Sequence, residues 1–242
     1  MNKEEKSYEV KYDLVVMNVI GVIYTLILVF ILYLMFKHNF LTGKFDITTE
    51  TLSQKNLIIF LITFYFWFVL HEIIHGIFYI IGGAKREYIS YGCVIEKGLL
   101  YCKCNNNITK KNAMISLLAP FTIIGVITLI ISFLIGDFTL LILSVCNLSG
   151  ACADLCVFIF FLKLGKDLKF REVGDTSTFV LTTKEDLTKR KILGIKSFRL
   201  LKEDELPVEK VKQKITITKI SKYFIIAMII LIVGAIILEI IQ

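Results

Sequence analysis

The apolar residues of this chain neither alternate nor recur every third or fourth position; they run together. Five blocks stand out: Leu14–Phe36, Leu57–Gly83, Ala113–Gly136, Phe138–Leu164 and Tyr223–Gln242. Each exceeds the ~18 residues at which so apolar a run predicts a membrane-crossing helix. At ~1.5 Å rise per residue, each can traverse a ~30 Å hydrocarbon layer. The few ionisable residues inside the blocks therefore carry information. They are His71, Glu72 and His75 in the second block, Asp154 and the terminal Lys163 in the fourth, and Glu239 near the end of the fifth. Pro120 lies within the third block. Gly136-Asp137 is the only break between the third and fourth, which predicts a tight helical hairpin.

Two segments between the blocks have a pattern of their own. Tyr88–Cys104 holds two β-prone runs around a turn at Gly98, which predicts a β-hairpin. The segment 165–221 is strongly charged, with strands expected at Thr178–Thr182 and Lys214–Ile220, and reads as a small appendage without a large core. The predicted fold is an α-helical polytopic membrane protein of about five transmembrane helices, with a cytoplasmic β-hairpin and a small cytoplasmic appendage. Four regions follow: 1–56, with the first helix and an outer loop; a membrane core over 57–164; the charged region 165–221; and a last transmembrane helix in 222–242.

Composition sharpens this reading. Of 242 residues, 56% are hydrophobic and only 20% charged, and mean hydropathy is +0.72, which excludes an ordinary soluble globule. With only 2 prolines, disorder and collagen-like structure are excluded as well. The first block is expected to stay in the membrane. Thirteen residues with four acids precede it, and Lys37-His38-Asn39 follows where a cleavage site would need small residues. Charge sets the orientation. If the blocks cross alternately, 25 of the 28 lysines and arginines fall on one side and 3 on the other. The positive-inside rule makes the rich side cytoplasmic, so in the cell membrane the N-terminus is inside and the C-terminus outside. The net charge of +7 is thus a topology signal, and no basic surface with stacking aromatics points to nucleic acid. The six cysteines fall in the membrane or on the cytoplasmic side and read as structural thiols, including the Cys102-Lys-Cys104 pair.

The chemistry is concentrated in His71-Glu72-Ile73-Ile74-His75. On a helix, residues four apart share a face, so both imidazoles can meet one metal ion, and Glu72 can take a proton from a water there. Two histidines leave zinc short of ligands, because catalytic sites hold three protein donors and keep one position open. A third donor must be buried at matching depth. His71 is 12 residues before Gly83 and Asp154 is 10 before Leu164, so the two lie ~18 and ~15 Å from the same end of their spans. Glu239 lies at the opposite face, which leaves Asp154 as the expected third ligand. Asn147 and Gly150 are seven and four residues before Asp154 and share its face; Asn147 is a candidate substrate contact or an interhelical hydrogen-bonding group, and Gly150 permits close approach. Pro120 is expected to kink its span and free a carbonyl. The same polar residues also fit a proton relay in a transporter, or a structural metal in a membrane protein that catalyses nothing.

His71-Glu-Ile-Ile-His-Gly76, the hairpin, the Pro120 span and the Asn147…Asp154 span together resemble the bacterial DUF3267 family of zincin peptidases, over roughly residues 55–180. More distantly, they are similar to the site-2-protease class of intramembrane metalloproteases. In that class a proline follows the asparagine by three residues and glycine follows the aspartate; here Gly150 and Leu155 stand there. The resemblance implies a zinc ion held by His71, His75 and Asp154, with Glu72 as catalytic base. It also implies hydrolysis of peptide bonds in membrane-embedded or membrane-associated protein substrates.

Overall fold

In the computed structural model, which describes residues 4–38, 45, 54–94, 99–173, 178–188, 190, 192–202 and 205, the long apolar runs are helices. The fifth block with Glu239, the strand expected at Lys214–Ile220 and the turn at Gly98 lie outside these residues. Helix α1 spans Leu14–Lys37 and starts where the Asp13 carboxylate accepts from the N–H groups of Val15 and Val16 at 3.1 and 3.2 Å. Helix α2 spans Gln54–Ile81 and carries the two histidines. The third block is α3 (Lys110–Pro120), a π-helical stretch (Phe121–Ile127) and α4 (Thr128–Ile135). Proline has no N–H for the α-helical ladder, and the winding loosens directly after it. Gly136 then takes φ +73°, and Asp137 caps the next helix by accepting from the Leu140 N–H at 2.8 Å.

The fourth block departs from the single span expected over Phe138–Leu164. It is two helices, α5 (Phe138–Gly150) and α6 (Cys152–Leu162), bent by 46° at Ala151. Ser149-Gly150 supplies the weak point, since small residues with low helix propensity are where helices bend sharply. Among the described residues, three helices are long and apolar enough to cross a membrane, or four if the bent pair is one span. The chain is mostly helical, and its composition is that of a membrane protein.

The hairpin forms as expected, from β2 (Ile89–Val94) and β3 (Leu99–Cys104), in antiparallel register with Ile89 opposite Cys104. A second, five-stranded antiparallel sheet contains β1 (Lys6–Tyr12), β4 (Ile108–Thr109), β5 (Lys169–Glu172), β6 (Thr178–Thr183) and β7 (Ile195–Leu200), in the order β4-β5-β6-β1-β7. Strand β6 lies where a strand was expected. Strand β1 was not anticipated, because the residues before the first helix read as a polar lead. Their alternation explains it: Tyr8 and Val10 are buried, whereas Ser7, Glu9 and Lys11 face outward between β6 and β7. The described part of the segment after 165 packs onto the helices. Phe170, Phe179 and Leu181 of the sheet share one buried cluster with Phe160 and Phe161 of α6 and Tyr79 of α2. Ile89, Cys102 and Cys104 of the hairpin belong to the same cluster, so both sheets pack at one end of the helices.

Glu172, the last residue of β5, fastens this end together. Its Oε2 accepts from the Cys104 N–H at 2.9 Å and from the Tyr79 hydroxyl at 3.4 Å, joining the large sheet to the hairpin and to α2. Removal from water pushes its carboxyl up to about 7 from the ordinary 4.5. A carboxyl raised in the folded state binds more protons than in the unfolded chain between those values, so its contribution to stability falls as pH rises through that window. Glu172→Gln is expected to remove this component. Thermal-unfolding midpoints measured from pH 4.5 to 7.5 should decline more in the native chain than in the variant; parallel curves would contradict it.

Candidate metal centre

His71 and His75 are four residues apart on α2 and face inward, each 5% exposed. Around them the helix is apolar, so two imidazoles here are costly unless each nitrogen has a partner. Every one does. His71 Nδ1 lies 2.9 Å from Asn147 Oδ1, and the Asn147 Nδ2 donates to the Pro120 carbonyl at 3.2 Å. That second bond fixes which end of the amide is oxygen, so the His71 Nδ1–H is the donor. His75 Nδ1 donates to the Ser116 carbonyl at 2.9 Å, and the Ser116 hydroxyl returns a bond to the His75 carbonyl at 3.0 Å.

The Ser116 carbonyl is available because of Pro120, four residues later, which has no N–H to offer it. The expectation that Pro120 frees a carbonyl thus acquires a specific acceptor and a specific use. With both Nδ1 atoms donating, a neutral imidazole keeps its lone pair on Nε2. The two Nε2 atoms face each other at 3.1 Å. Asp154 Oδ2 completes the triangle, 3.2 Å from His71 Nε2 and 3.4 Å from His75 Nε2. Asp154 sits in the first turn of α6, and the bend at Ala151 sets that turn against α2.

Three electron-pair donors aimed at one spot repel one another unless a cation lies among them. The spacing can be tested against zinc. Donors held tetrahedrally at ~2.0–2.1 Å from an ion stand ~3.3–3.4 Å apart, close to the sides of this triangle. Two imidazoles and one carboxylate are a zinc donor set that leaves one position open. Among the described residues, His71, His75 and Asp154 form the group able to hold a metal ion.

Glu72 follows His71 and is half-buried; the backbone N–H of Cys102 in β3 is directed at its carboxylate. Successive outward N–H groups of β3, at Cys102 and Cys104, thus meet two carboxylates, Glu72 and Glu172. Gly76 permits this docking, since a side chain there would overlap the Tyr91 hydroxyl of β2. Asn147, only 1% exposed, has both ends of its amide engaged by His71 and Pro120. Gly150 touches the Phe68 ring of α2, the close approach its size suggests. Ser116, Cys102 and Glu172 were not among the candidates from sequence. The first two act through the backbone, which leaves no residue signature beyond Pro120 for Ser116. The cysteines are free thiols, and burial pushes Cys104 in β3 up to about 12.

Comparison with known proteins agrees with this geometry. Searches of curated proteins and of solved structures found no match. Residues 64–169 match the model of the DUF3267 family, whose description is "Putative zincin peptidase". The match encloses His71, Glu72, His75, Ser116, Pro120, Asn147 and Asp154 and ends three residues before Glu172. The segment that builds the metal centre is therefore the one that is similar to the DUF3267 family.

Proposed function

We propose that this chain is a zinc-dependent intramembrane metallopeptidase, similar to site-2 proteases, which hydrolyses peptide bonds of membrane-embedded or membrane-associated proteins from the cytoplasmic side of the cell membrane. The observation that carries the reading is the donor triangle of His71, His75 and Asp154, with sides of 3.1–3.4 Å, set beside Glu72 in an apolar helical bundle. Orientation rests on the concentration of lysine and arginine at the end that carries both sheets.

His71, His75 and Asp154 would hold the ion. When bound, zinc supplies Lewis acidity, which polarises a scissile carbonyl and makes a water acidic near neutral pH. Glu72 accepts the proton of the attacking water as its oxygen bonds to the carbonyl carbon, then returns it to the amide nitrogen as the C–N bond breaks. The Cys102 N–H beside Glu72 gives its carboxylate a fixed partner and so orients it. We assign Asn147 to the orientation of His71, through Nδ1, in preference to the substrate contact suggested by its position. Ser116 does the same for His75. The β3 edge nearest the site is already engaged by Glu72 and Glu172. Of the two roles open to the hairpin, an edge offered to an extended substrate or one folded back on the bundle, these contacts support the second.

Purified protein is expected to contain about one zinc per chain, and His75→Ala or Asp154→Ala to lose it, by elemental analysis. Zinc-free protein that cleaves at the native rate would contradict the reading.

Glu72→Gln should retain zinc and lose turnover by at least ~100-fold, read as accumulation of an uncut membrane protein in cells carrying the variant. A proton relay or a structural metal predicts no such accumulation.

Pro120→Ala restores an N–H that competes with His75 for the Ser116 carbonyl. Zinc affinity should fall ~10–100-fold, the cost typical of losing a group that orients a ligand. Competition titration against a chelator measures it, and unchanged affinity would remove Pro120 from the account.

A further inference from the structure

The helices that supply Ser116 and Asp154 share a second feature, away from the metal centre. A cavity of about 460 Å³ opens between α3 and the end of α6, with Lys110, Lys111 and Lys166 at its rim and Met114, Leu118 and Phe158 along its wall. Its polarity has a direction. Lys110 and Lys111 are the first two residues of α3, and Lys166 follows the end of α6, so all three cations stand at one level. Met114 and Leu118 lie one and two turns further into α3, and Phe158 lies about one turn before the end of α6. The cavity is therefore cationic at the mouth and apolar in its depth.

The mouth also lies at a particular place. Helix α3 opens the apolar span Lys110–Ile135, and β4 and β5 flank the same level. This is the level at which a span passes from water to hydrocarbon, and where a phospholipid carries its phosphate above its acyl chains. Lys110 is held in place, its Nζ donating to the Leu164 carbonyl at 2.6 Å. Lys111 and Lys166 are exposed, and no acid lines the cavity. The nearest acids are engaged elsewhere. Asp167 accepts from the Thr183 hydroxyl and the Lys184 N–H, and Glu185 pairs with Arg190 at 3.0 Å.

We propose that this cavity binds one anionic phospholipid, with its phosphate between Lys111 and Lys166 and an acyl chain along Met114, Leu118 and Phe158. Charge complementarity selects an anion, and the apolar depth selects a lipid over a free ion. The site is independent of the reaction carried out at the metal centre. It does bear on that centre mechanically. Phe158 is one helical turn beyond Asp154, and Met114 and Leu118 flank Ser116, so a seated lipid braces α3 against α6 behind the donor triangle.

The test uses the full-length chain in bilayers of phosphatidylcholine alone, or of phosphatidylcholine mixed with phosphatidylglycerol, with bound lipid counted by native mass spectrometry. Phosphatidylglycerol should be retained selectively. The doubly substituted Lys111→Gln, Lys166→Gln chain should bind it on the order of tenfold or more weakly, as expected for two surface lysines. Lys196→Gln with Lys202→Gln removes the same charge from exposed positions outside the cavity and should leave retention unchanged. Leu118→Trp, which fills the wall without altering charge, should also reduce retention, and Lys111→Arg with Lys166→Arg should preserve it. Equal losses from both lysine pairs would overturn the site in favour of general surface charge. Full displacement of phosphatidylglycerol by millimolar inorganic phosphate would overturn the lipid in favour of a free anion. Equal retention of phosphatidylcholine and phosphatidylglycerol would overturn the role of the lysines.

Discussion

Three lone pairs converge on one point within a bundle of apolar helices, and much of the surrounding structure serves to hold them there. Left alone, His71 Nε2, His75 Nε2 and Asp154 Oδ2 would turn apart or take up protons. They stay aimed inward because the opposite nitrogen of each ring is tied, to Asn147 in one case and to the Ser116 carbonyl in the other. Burial of His71, His75, Asn147 and Ser116 strengthens these bonds by keeping competing water away. An arrangement that is repulsive without a cation and satisfied with one is what a metal-binding site requires. The helices that provide it must be placed to within a fraction of an ångström for the ion to be held tightly.

Two irregularities in the helices make that placement possible. Pro120 removes one N–H from the α3 ladder, and the carbonyl it releases becomes the partner of His75. The bend at Ala151 turns α6 away from the line of α5. Consequently Asn147, late in α5, and Asp154, early in α6, reach opposite nitrogens of the same imidazole. A straight helix would have set them two turns apart along one face. The bond lost at Pro120 is replaced by the His75 side chain, and the bend keeps the backbone bonds of the Ala151 N–H to Asn147 and of the Leu155 N–H to Ala151. The sheet that packs on Phe160 and Phe161 then anchors the far end of α6.

Much of the candidate site was legible in the sequence for a simple reason: an ionisable residue in an apolar run is expensive, so each one present asks for a purpose. His71, Glu72, His75 and Asp154 stood out on that ground, and helix rise alone put them at one depth. The hairpin and β6 were equally readable from their β-branched and aromatic runs. The rest was hidden for physical reasons. The bend at Ala151 depends on packing against α2, and nothing in Ser149-Gly150-Ala151 dictates its angle. The Ser116 and Cys102 contributions are made by backbone atoms, which every residue has. Strand β1 is seven residues long and mixes charge with its two buried side chains. It becomes a strand only because β6 and β7, distant in sequence, pair with it on both sides. Glu172 is likewise one charged residue among many in its segment until the fold brings β5 to β3.

The account stands on the identity of the three donors, and X-ray absorption at the zinc edge of the metal-loaded protein addresses them directly. The predicted spectrum contains two imidazole nitrogens and carboxylate oxygen in a shell at ~2.0–2.2 Å, with no sulfur. In Asp154→Ala, residual bound zinc should lose an oxygen scatterer and keep the imidazole signature. A sulfur shell at ~2.3 Å would place the ion among the cysteines and contradict the His71–His75–Asp154 centre outright.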